Sequence, residues 1–214
     1  MKRLITLSLI IISMSLSISS QAQTNIITEN RINKHLYFGV GYSFGFFFPV
    51  DVNDYIFEKT DYFYMTEGTA DLFSNYAGRI LLTYRINRTF DLSAIAEYAF
   101  APKYIIMIGE EDIYFHFDRF SPGIVAKLHI PIGSGKHSLF VAPGVHYSFL
   151  KFEEFEANTL GGKFQTGVNL NFRKNILQPF VSFDYIKARD KSNFYYQEFE
   201  LSYTGIQIGV DFSF

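Results

Sequence analysis

From residue 36 onward, bulky apolar side chains recur at every second position in eight separate stretches. The first sets Leu36, Phe38, Val40, Tyr42, Phe44 and Phe46 on one face against Tyr37, Gly39, Gly41, Ser43 and Gly45 on the other. The second, from about Tyr76 to Ile86, opposes Ile80, Leu82, Tyr84 and Ile86 to Ala77, Arg79, Thr83 and Arg85, with Leu81 an apolar exception on the polar face. The third runs from Phe90 to Phe100 and carries Asp91, Ser93, Ile95, Glu97 and Ala99 opposite its apolar set, and the fourth begins at about Phe120 and opposes Ile124, Ala126, Leu128 and Ile130 to Gly123, Val125, Lys127 and His129. The fifth is Leu139 to Phe149, the sixth Lys163 to Phe172, the seventh Leu177 to Tyr185, and the last Tyr203 to Phe214, where Ile206, Ile208, Val210, Phe212 and Phe214 alternate with Gly205, Gln207, Gly209, Asp211 and Ser213. A period of two puts alternate side chains on opposite faces of an extended chain, so the pattern predicts eight β-strands.

The connections alternate in length. Those after the second, fourth and sixth strands are short, as at Asn87-Arg88, at Pro131 to His137 and at Arg173-Lys174-Asn175, whereas those after the first (about 48 to 70), third (about 101 to 112), fifth (about 151 to 158) and seventh (about 187 to 198) are longer. An even number of alternating strands with short turns at one end and long loops at the other is the signature of an antiparallel up-and-down transmembrane β-barrel with both chain ends on the periplasmic side. Pro122, Pro143 and Pro179 fall inside predicted strands and are expected to mark bulges or strand ends, because proline donates nothing to a sheet ladder.

An alternating barrel can also be soluble, with its apolar face turned inward around a ligand as in lipocalins. Side-chain size chooses between the two. The non-apolar face is dominated by Gly, Ser, Ala, Asn and Gln, which fit a narrow lumen better than a solvated exterior, and the apolar face carries Phe, Tyr, Leu, Ile and Val. Its aromatics gather near strand ends, with Tyr84, Phe90, Phe172 and Phe214 at one rim and Phe44, Tyr98, Tyr147 and Tyr185 at the other, as bilayer girdles do.

Composition agrees: 25 Phe and 15 Tyr accompany no Trp, and charged residues are 19%, below the usual quarter of a soluble domain. A net charge of -2 supplies no basic field for nucleic acid, and the absence of cysteine excludes disulfides, thiolate metal sites and a lipid-anchored amino-terminal cysteine. Lys2 and Arg3 precede an apolar stretch from Leu4 to about Ile18, followed by Ser20-Gln21-Ala22 with small residues placed for cleavage. The expected organisation is a signal peptide over 1–22, a short leader over 23–34 and a barrel domain over 35–214.

The chemistry-bearing residues concentrate on the lumen face. Arg79, Arg85, Lys127 and Lys163 face Asp91, Glu97, Asp184 and Asp211, a balanced set expected to form a salt-bridged plug or, alternatively, to line a narrow ion path. His146 and Ser148 share a face, and with Glu153, Glu154 or Glu156 they are candidates for a hydrolytic triad. In this pair the chain is similar to the outer-membrane lipid A deacylases, but the Asn-Ala that follows in that family is replaced by Phe149-Leu150, and His146 and Ser148 are expected to point into the lumen rather than toward lipid. His35, His116, His129, His137 and His146 show no paired ligand spacing, so no metal and no cofactor is expected. Gly133-Ser134-Gly135-Lys136 lacks the full phosphate-loop spacing and reads as a turn. In the loops, Tyr55, Phe57, Tyr62, Phe63, Tyr64 and, further on, Phe194, Tyr195 and Tyr196 either pack between neighbouring loops or form a contact surface for an extracellular protein or glycan.

The eight alternating strands, the short and long connections and the terminal Val210-Asp211-Phe212-Ser213-Phe214 resemble the small outer-membrane β-barrel, porin-like family whose architecture OmpX and the OmpA membrane domain share. The resemblance covers about 35 to 214 and implies residence in the outer membrane of a Gram-negative bacterium, contact with outer-membrane lipid and insertion by the barrel assembly machinery, with Phe212 and Phe214 as the assembly signal. No peptidoglycan-binding domain follows the last strand, so an anchoring role is not implied. The expected function is non-enzymatic, serving envelope integrity or surface recognition through the long loops. A narrow pore for ions or small solutes is the first alternative and a deacylase-like lipid-modifying enzyme the second.

Overall fold

A computed structural model describes residues 36–49, 51, 52, 55, 73–105, 113–133, 137–172, 175–190 and 199–214. The expected signal peptide and leader lie outside the described residues.

Eight antiparallel strands close into a barrel: β1 (Leu36–Pro49), β2 (Phe73–Arg85), β3 (Phe90–Ile105), β4 (Ile113–Ile132), β5 (His137–Phe152), β6 (Phe155–Phe172), β7 (Asn175–Ile186) and, after two short strands, β10 (Tyr203–Ser213). The short strands β8 (Arg189–Asp190) and β9 (Phe199–Glu200) pair with each other outside the wall. Each barrel strand pairs with its sequence neighbour, and β10 closes on β1 from Gly39 opposite Ser213 to Pro49 opposite Tyr203. Closure follows from the solvent, because hydrocarbon offers no partner to an unpaired edge.

The two faces separate as the alternation predicts. Leu36, Phe38, Tyr42, Phe44 and Phe46 of β1 point outward and are exposed, while Ser43 and Phe47 are buried. Outward residues remain bare around the whole wall, with Ile208 66% and Tyr185 60% exposed. In water such a continuous apolar belt would aggregate, whereas in a bilayer it is the contact surface. Stacked pairs such as Phe120 on Phe149 add to this face.

Two turns show how local chemistry sets the short-turn end of the barrel. At β2–β3, the Asn87 side-chain carbonyl accepts from the backbone N–H groups of Thr89 (2.8 Å) and Phe90 (2.9 Å), which holds the reversal without glycine. Gly133, after β4, has φ +55, a conformation that a side chain disfavours.

The structure corrects the strand limits on the opposite side. β4 begins at Ile113 rather than near Phe120, and β6 at Phe155 rather than near Lys163. The connection after β5, expected to be long, is the tight turn Glu153-Glu154. Its charged sequence Lys151 to Glu156 conceals the inward alternation of Leu150, Phe152, Phe155 and Ala157, all of which are buried. No glycine announces the turn, because Glu153 itself takes positive φ (51).

The prolines are corrected too. The register runs unchanged past Pro122, Pro143 and Pro179, so they mark neither bulges nor strand ends. Instead, the pairing between β4 and β5 lapses at Ser121-Pro122 and at Ala126-Lys127 opposite Pro143, and that between β6 and β7 lapses opposite Pro179.

Where β1 meets β10, the lumen face of β1 is Gly39, Gly41, Ser43 and Gly45. A Cβ at Gly45 would strike the Ile206 carbonyl oxygen and the Gln207 backbone, whereas one at the lipid-facing Gly78 meets nothing within 4 Å. Gly45→Val is therefore expected to cost about 1–3 kcal/mol of barrel stability by overpacking, and Gly78→Val to cost little. Urea titration of the heat-modifiable folded band in gels measures both; equal midpoints would show that the closing seam has room to spare.

Candidate functional site in the lumen

The lumen is filled in layers. At the barrel end that carries the β2–β3 turn, Arg85 donates to Asp91 (3.1 and 3.3 Å), Asp91 also meets His129 Nε2 at 2.9 Å, and His129 Nδ1 reaches Ser138 Oγ at 3.2 Å. Thr83 and Ser93 share a hydroxyl bond of 2.8 Å across β2 and β3. Leu81, Ile95, Val125, Phe140, Ala142 and Phe180 then form an apolar cluster inside the barrel. Leu81 is thus part of the packing and no flaw in the pattern.

The larger charge cluster links six strands. Arg79 on β2 donates through Nε and Nη2 to both oxygens of Asp211 on β10, each at 2.5 Å. Those strands are not neighbours, since β1 lies between them. The side chains meet over Gly41, where a Cβ would overlap Asp211 Oδ1 and lie 3.0 Å from Arg79 Cγ. The Arg79 guanidinium also sits 3.7 Å from the Phe180 ring centre and 3.8 Å from Glu97. Glu97 accepts from Lys163 at 2.5 Å and from Arg119, and Asp184 lies 3.5 Å from both Lys163 and Arg119. Arg119 also donates to the Tyr203 hydroxyl. Bidentate and charge-assisted contacts offset the cost of removing these ions from water, which an unpaired charge would bear in full.

Seven of the eight candidates in this network thus lie in ion pairs with one another: Arg79, Asp211, Glu97, Lys163, Asp184, Arg85 and Asp91. Among the described residues Lys127 joins no ion pair; fully buried, it donates to Gln178 at 2.8 Å, and Gln178 donates to Asn169 at 3.3 Å. Sequence reasoning missed Arg119 because it started the strand one residue later, although Phe115, Phe117 and Arg119 keep the parity of Val125 and Lys127. With Arg119 included the balance changes: among the described residues, five lumen cations (Arg79, Arg85, Arg119, Lys127, Lys163) oppose four anions (Asp91, Glu97, Asp184, Asp211).

His146 and Ser148 do meet, with Nδ1 and Oγ 2.8 Å apart, and Ser148 Oγ is also 2.6 Å from Ser121 Oγ. The nearby carboxylate is Asp184, 3.8 Å from His146 Nε2, and not one of the three glutamates. Glu154 accepts from the Tyr55 hydroxyl, Glu156 pairs with Lys151, and Glu153 lies 3.9 Å from His116. Ser148 is wholly buried and faces the lumen rather than the outer, lipid-facing side of the wall. Among the described residues no group of His, Asp and Glu is arranged to hold a metal.

Beyond the ions, a second apolar cluster fills the other end of the barrel, including Phe47, Phe115, Phe117, Leu150, Phe152, Phe155, Ile186, Leu201 and Tyr203. Val52 and Tyr55 from the connection after β1 belong to it. Asp51 holds them there: its N–H donates to the Glu200 carbonyl (3.2 Å), its carboxylate accepts from the Glu200 N–H (2.7 Å), and its carbonyl accepts from the Tyr55 N–H (3.1 Å). Tyr55, a candidate for surface contact, is instead buried edge-on against Phe152 and Phe155. Phe57, Tyr62, Phe63, Tyr64, Phe194, Tyr195 and Tyr196 lie outside the described residues. Phe212 of β10 stands opposite Val40 and Leu177 on the outer face, and Phe214 follows the strand.

No family model matches the sequence, and no curated protein matches it. Among solved structures, Neisserial surface protein A superposes with a TM-score of 0.54 at 12% identity, over 83% of this chain and 96% of that one. The outer membrane protein OprG of Pseudomonas aeruginosa gives a TM-score of 0.48 at 12% identity, over 83% and 95%. The chain has the fold of the small outer-membrane β-barrels. Identities this low carry the architecture and no residue role.

Removing one member of a buried pair strands the other. Arg79→Met alone or Asp211→Leu alone is expected to destabilise the barrel by about 3–5 kcal/mol, and the double substitution to recover most of the loss. A double-mutant cycle in urea with the refolded protein measures this; purely additive losses would mean that the pair is not coupled.

Proposed function

We propose that the protein is a non-enzymatic outer-membrane barrel of a Gram-negative bacterium whose lumen is sealed and whose extracellular loops carry its role in recognition or envelope integrity. The observation that carries this reading is the filling of the lumen from end to end. The His129–Asp91–Arg85 group, the apolar cluster around Phe140 and Phe180, the ion network of Arg79 and Arg119, and the aromatic cluster around Phe117 and Phe152 succeed one another along the axis. Eight strands enclose a space that side chains can occupy fully, unlike the channel of a large porin. Two cavities among the described residues inside the barrel are each ≈ 10 Å³, room for about one water molecule.

A rigid, sealed wall suits presentation rather than transport. The anchoring of Val52 and Tyr55 in the core fixes where the loop after β1 leaves the barrel, and the β8–β9 pair does the same for the loop between them. The partner we envisage is an extracellular protein or glycan, met by the aromatic loop residues beyond Tyr55. Export by a cleaved signal peptide and insertion by the barrel assembly machinery belong to the same reading, with β10 as the strand that closes the wall.

Two measurements test it. Purified protein in a planar bilayer is expected to give no steady unitary conductance; reproducible channels of one size would replace the sealed scaffold by a narrow pore. Exchanging residues 57–67 for a glycine-serine linker of equal length keeps Val52 and Tyr55 in place and is expected to abolish most adhesion of expressing cells to host-cell or glycan surfaces. Unchanged adhesion would remove surface recognition by that loop.

A further inference from the structure

The wall between β4 and β5 differs from the other seams. Pro122-Gly123 on β4 and Pro143-Gly144 on β5 flank one short stretch of this seam, with Gly123 facing His146 and Val125 facing Gly144. The ladder lapses on either side of this short paired segment, at Ser121-Pro122 and opposite Pro143. Two of the three lapses that accompany the strand prolines therefore fall in one seam. On the lumen side of the first lapse, the 2.6 Å contact between the Ser121 and Ser148 hydroxyls stitches the strands where the backbone does not.

Directly behind the seam is a cavity of ≈ 10 Å³ lined by Glu97, Arg119, Ser121, Gly123 and His146, and also by Val145, whose side chain is 62% exposed on the outer face. The cavity thus touches the wall itself and not only the lumen. Near it are buried polar atoms with no hydrogen-bond partner among the described residues: Arg119 Nε and His146 Nε2, whose residues line the cavity, and both carboxylate oxygens of Asp184, which does not line it and lies 3.5 Å from Lys163. Their side chains are 3%, 6% and 1% exposed. The approaches between them are too long for direct bonds, at 3.8 Å from His146 Nε2 to Asp184 Oδ1 and 3.5 Å from Arg119 Nη1 to Asp184 Oδ2.

The geometry points to a structural hydration site: one water, held behind the β4–β5 seam by Arg119, His146 and Asp184, that exchanges through the seam and not along the barrel axis. The chemistry fits a water closely. It accepts from Arg119 Nε–H and donates to Asp184, and His146 Nε2 takes the remaining bond in whichever role its tautomer allows. The Arg119 guanidinium is bonded to Glu97 and Tyr203 and Asp184 lies 3.5 Å from Lys163, but Arg119 Nε–H and the Asp184 carboxylate oxygens still lack hydrogen bonds at this depth, and a single water supplies one to both groups. Exchange along the axis would have to pass either the apolar cluster at Phe140 and Phe180 or the one at Phe117 and Phe152, whereas local opening of a seam with two ladder lapses breaks few bonds. The axial part rests on the sealed lumen proposed above; the site itself does not.

Water–protein nuclear Overhauser spectroscopy on the refolded protein tests the site. A long-lived water is expected to give cross-peaks to the Gly123 amide and the His146 ring, and these are expected to vanish in Val125→Ile, which adds a methyl group beside the cavity. Heat-modifiable mobility confirms that the variant is folded; a second, less intrusive variant, Ser121→Ala, is expected to keep the water and so controls for general disturbance. Absence of the cross-peaks in the folded wild type, or their persistence unchanged in folded Val125→Ile, overturns the site. For the route, Ile124→Cys with Val145→Cys places the only two thiols of the chain opposite each other on the seam. Oxidation is expected to lengthen the residence time of the water several-fold. If exchange is as fast after cross-linking, the seam is not the route; if a planar bilayer also shows conductance, it is the sealed lumen that fails, and the hydration site stands.

Discussion

Backbone amide and carbonyl groups placed in hydrocarbon have only each other as partners, and the rest of this structure depends on that constraint. It forces the sheet to close, so β10 must lie against β1, and eight strands enclose a space that side chains can fill. Every side chain on the inner face then has to fit with its neighbours or be small. On β1 the solution is smallness: Gly39, Gly41 and Gly45 leave space that residues from β2 and β10 occupy. The same constraint explains why the strand prolines matter. Each interrupts pairing locally, and the wall absorbs this without a change of register, with the Ser121–Ser148 contact replacing part of what β4 and β5 lose.

Smallness on β1 in turn makes the ion network possible. The Arg79–Asp211 pair spans the strand between its owners, so it couples the two sides of the closing seam through side chains as well as through the ladder. Buried charges that reach across non-adjacent strands tolerate only one register, because a slip of one residue would turn every lumen charge toward lipid. The network therefore acts as a specification of the barrel as much as a source of stability. Its counterweight is apolar: the clusters above and below flank the ions with side chains of low polarity, which strengthens each pair and raises the cost of losing a partner.

Outside the bilayer the strands continue, and their inner faces change from ionic to aromatic. Phe47, Phe117, Phe152, Phe155 and Tyr203 form a core of the ordinary soluble kind, which Val52 and Tyr55 complete. A stopper of this kind gives the emerging loops firm starting points, so recognition by them would not depend on movements of the wall.

Much of this was legible in the residues alone. The period of two identified the eight strands and their faces, because lipid and lumen demand opposite chemistry from adjacent positions, and it correctly put Arg79, Glu97, Lys163 and Asp211 inside. Where the signal was mixed, it failed for identifiable reasons. Charged residues around Glu153 hid a tight turn, and aromatic residues before Phe120 hid the strand that carries Arg119, since a strand rising above the bilayer loses the polar-inside rule. Which charges pair was beyond the sequence. Arg79 and Asp211 are 132 positions apart and meet over Gly41 only because closure and strand stagger bring β2, β1 and β10 side by side, and His146 finds Asp184 in place of the nearby glutamates for the same reason. Alternation is a property of single strands and can be read along the chain; contact across the lumen is a property of the closed cylinder, and only the tertiary structure decides it.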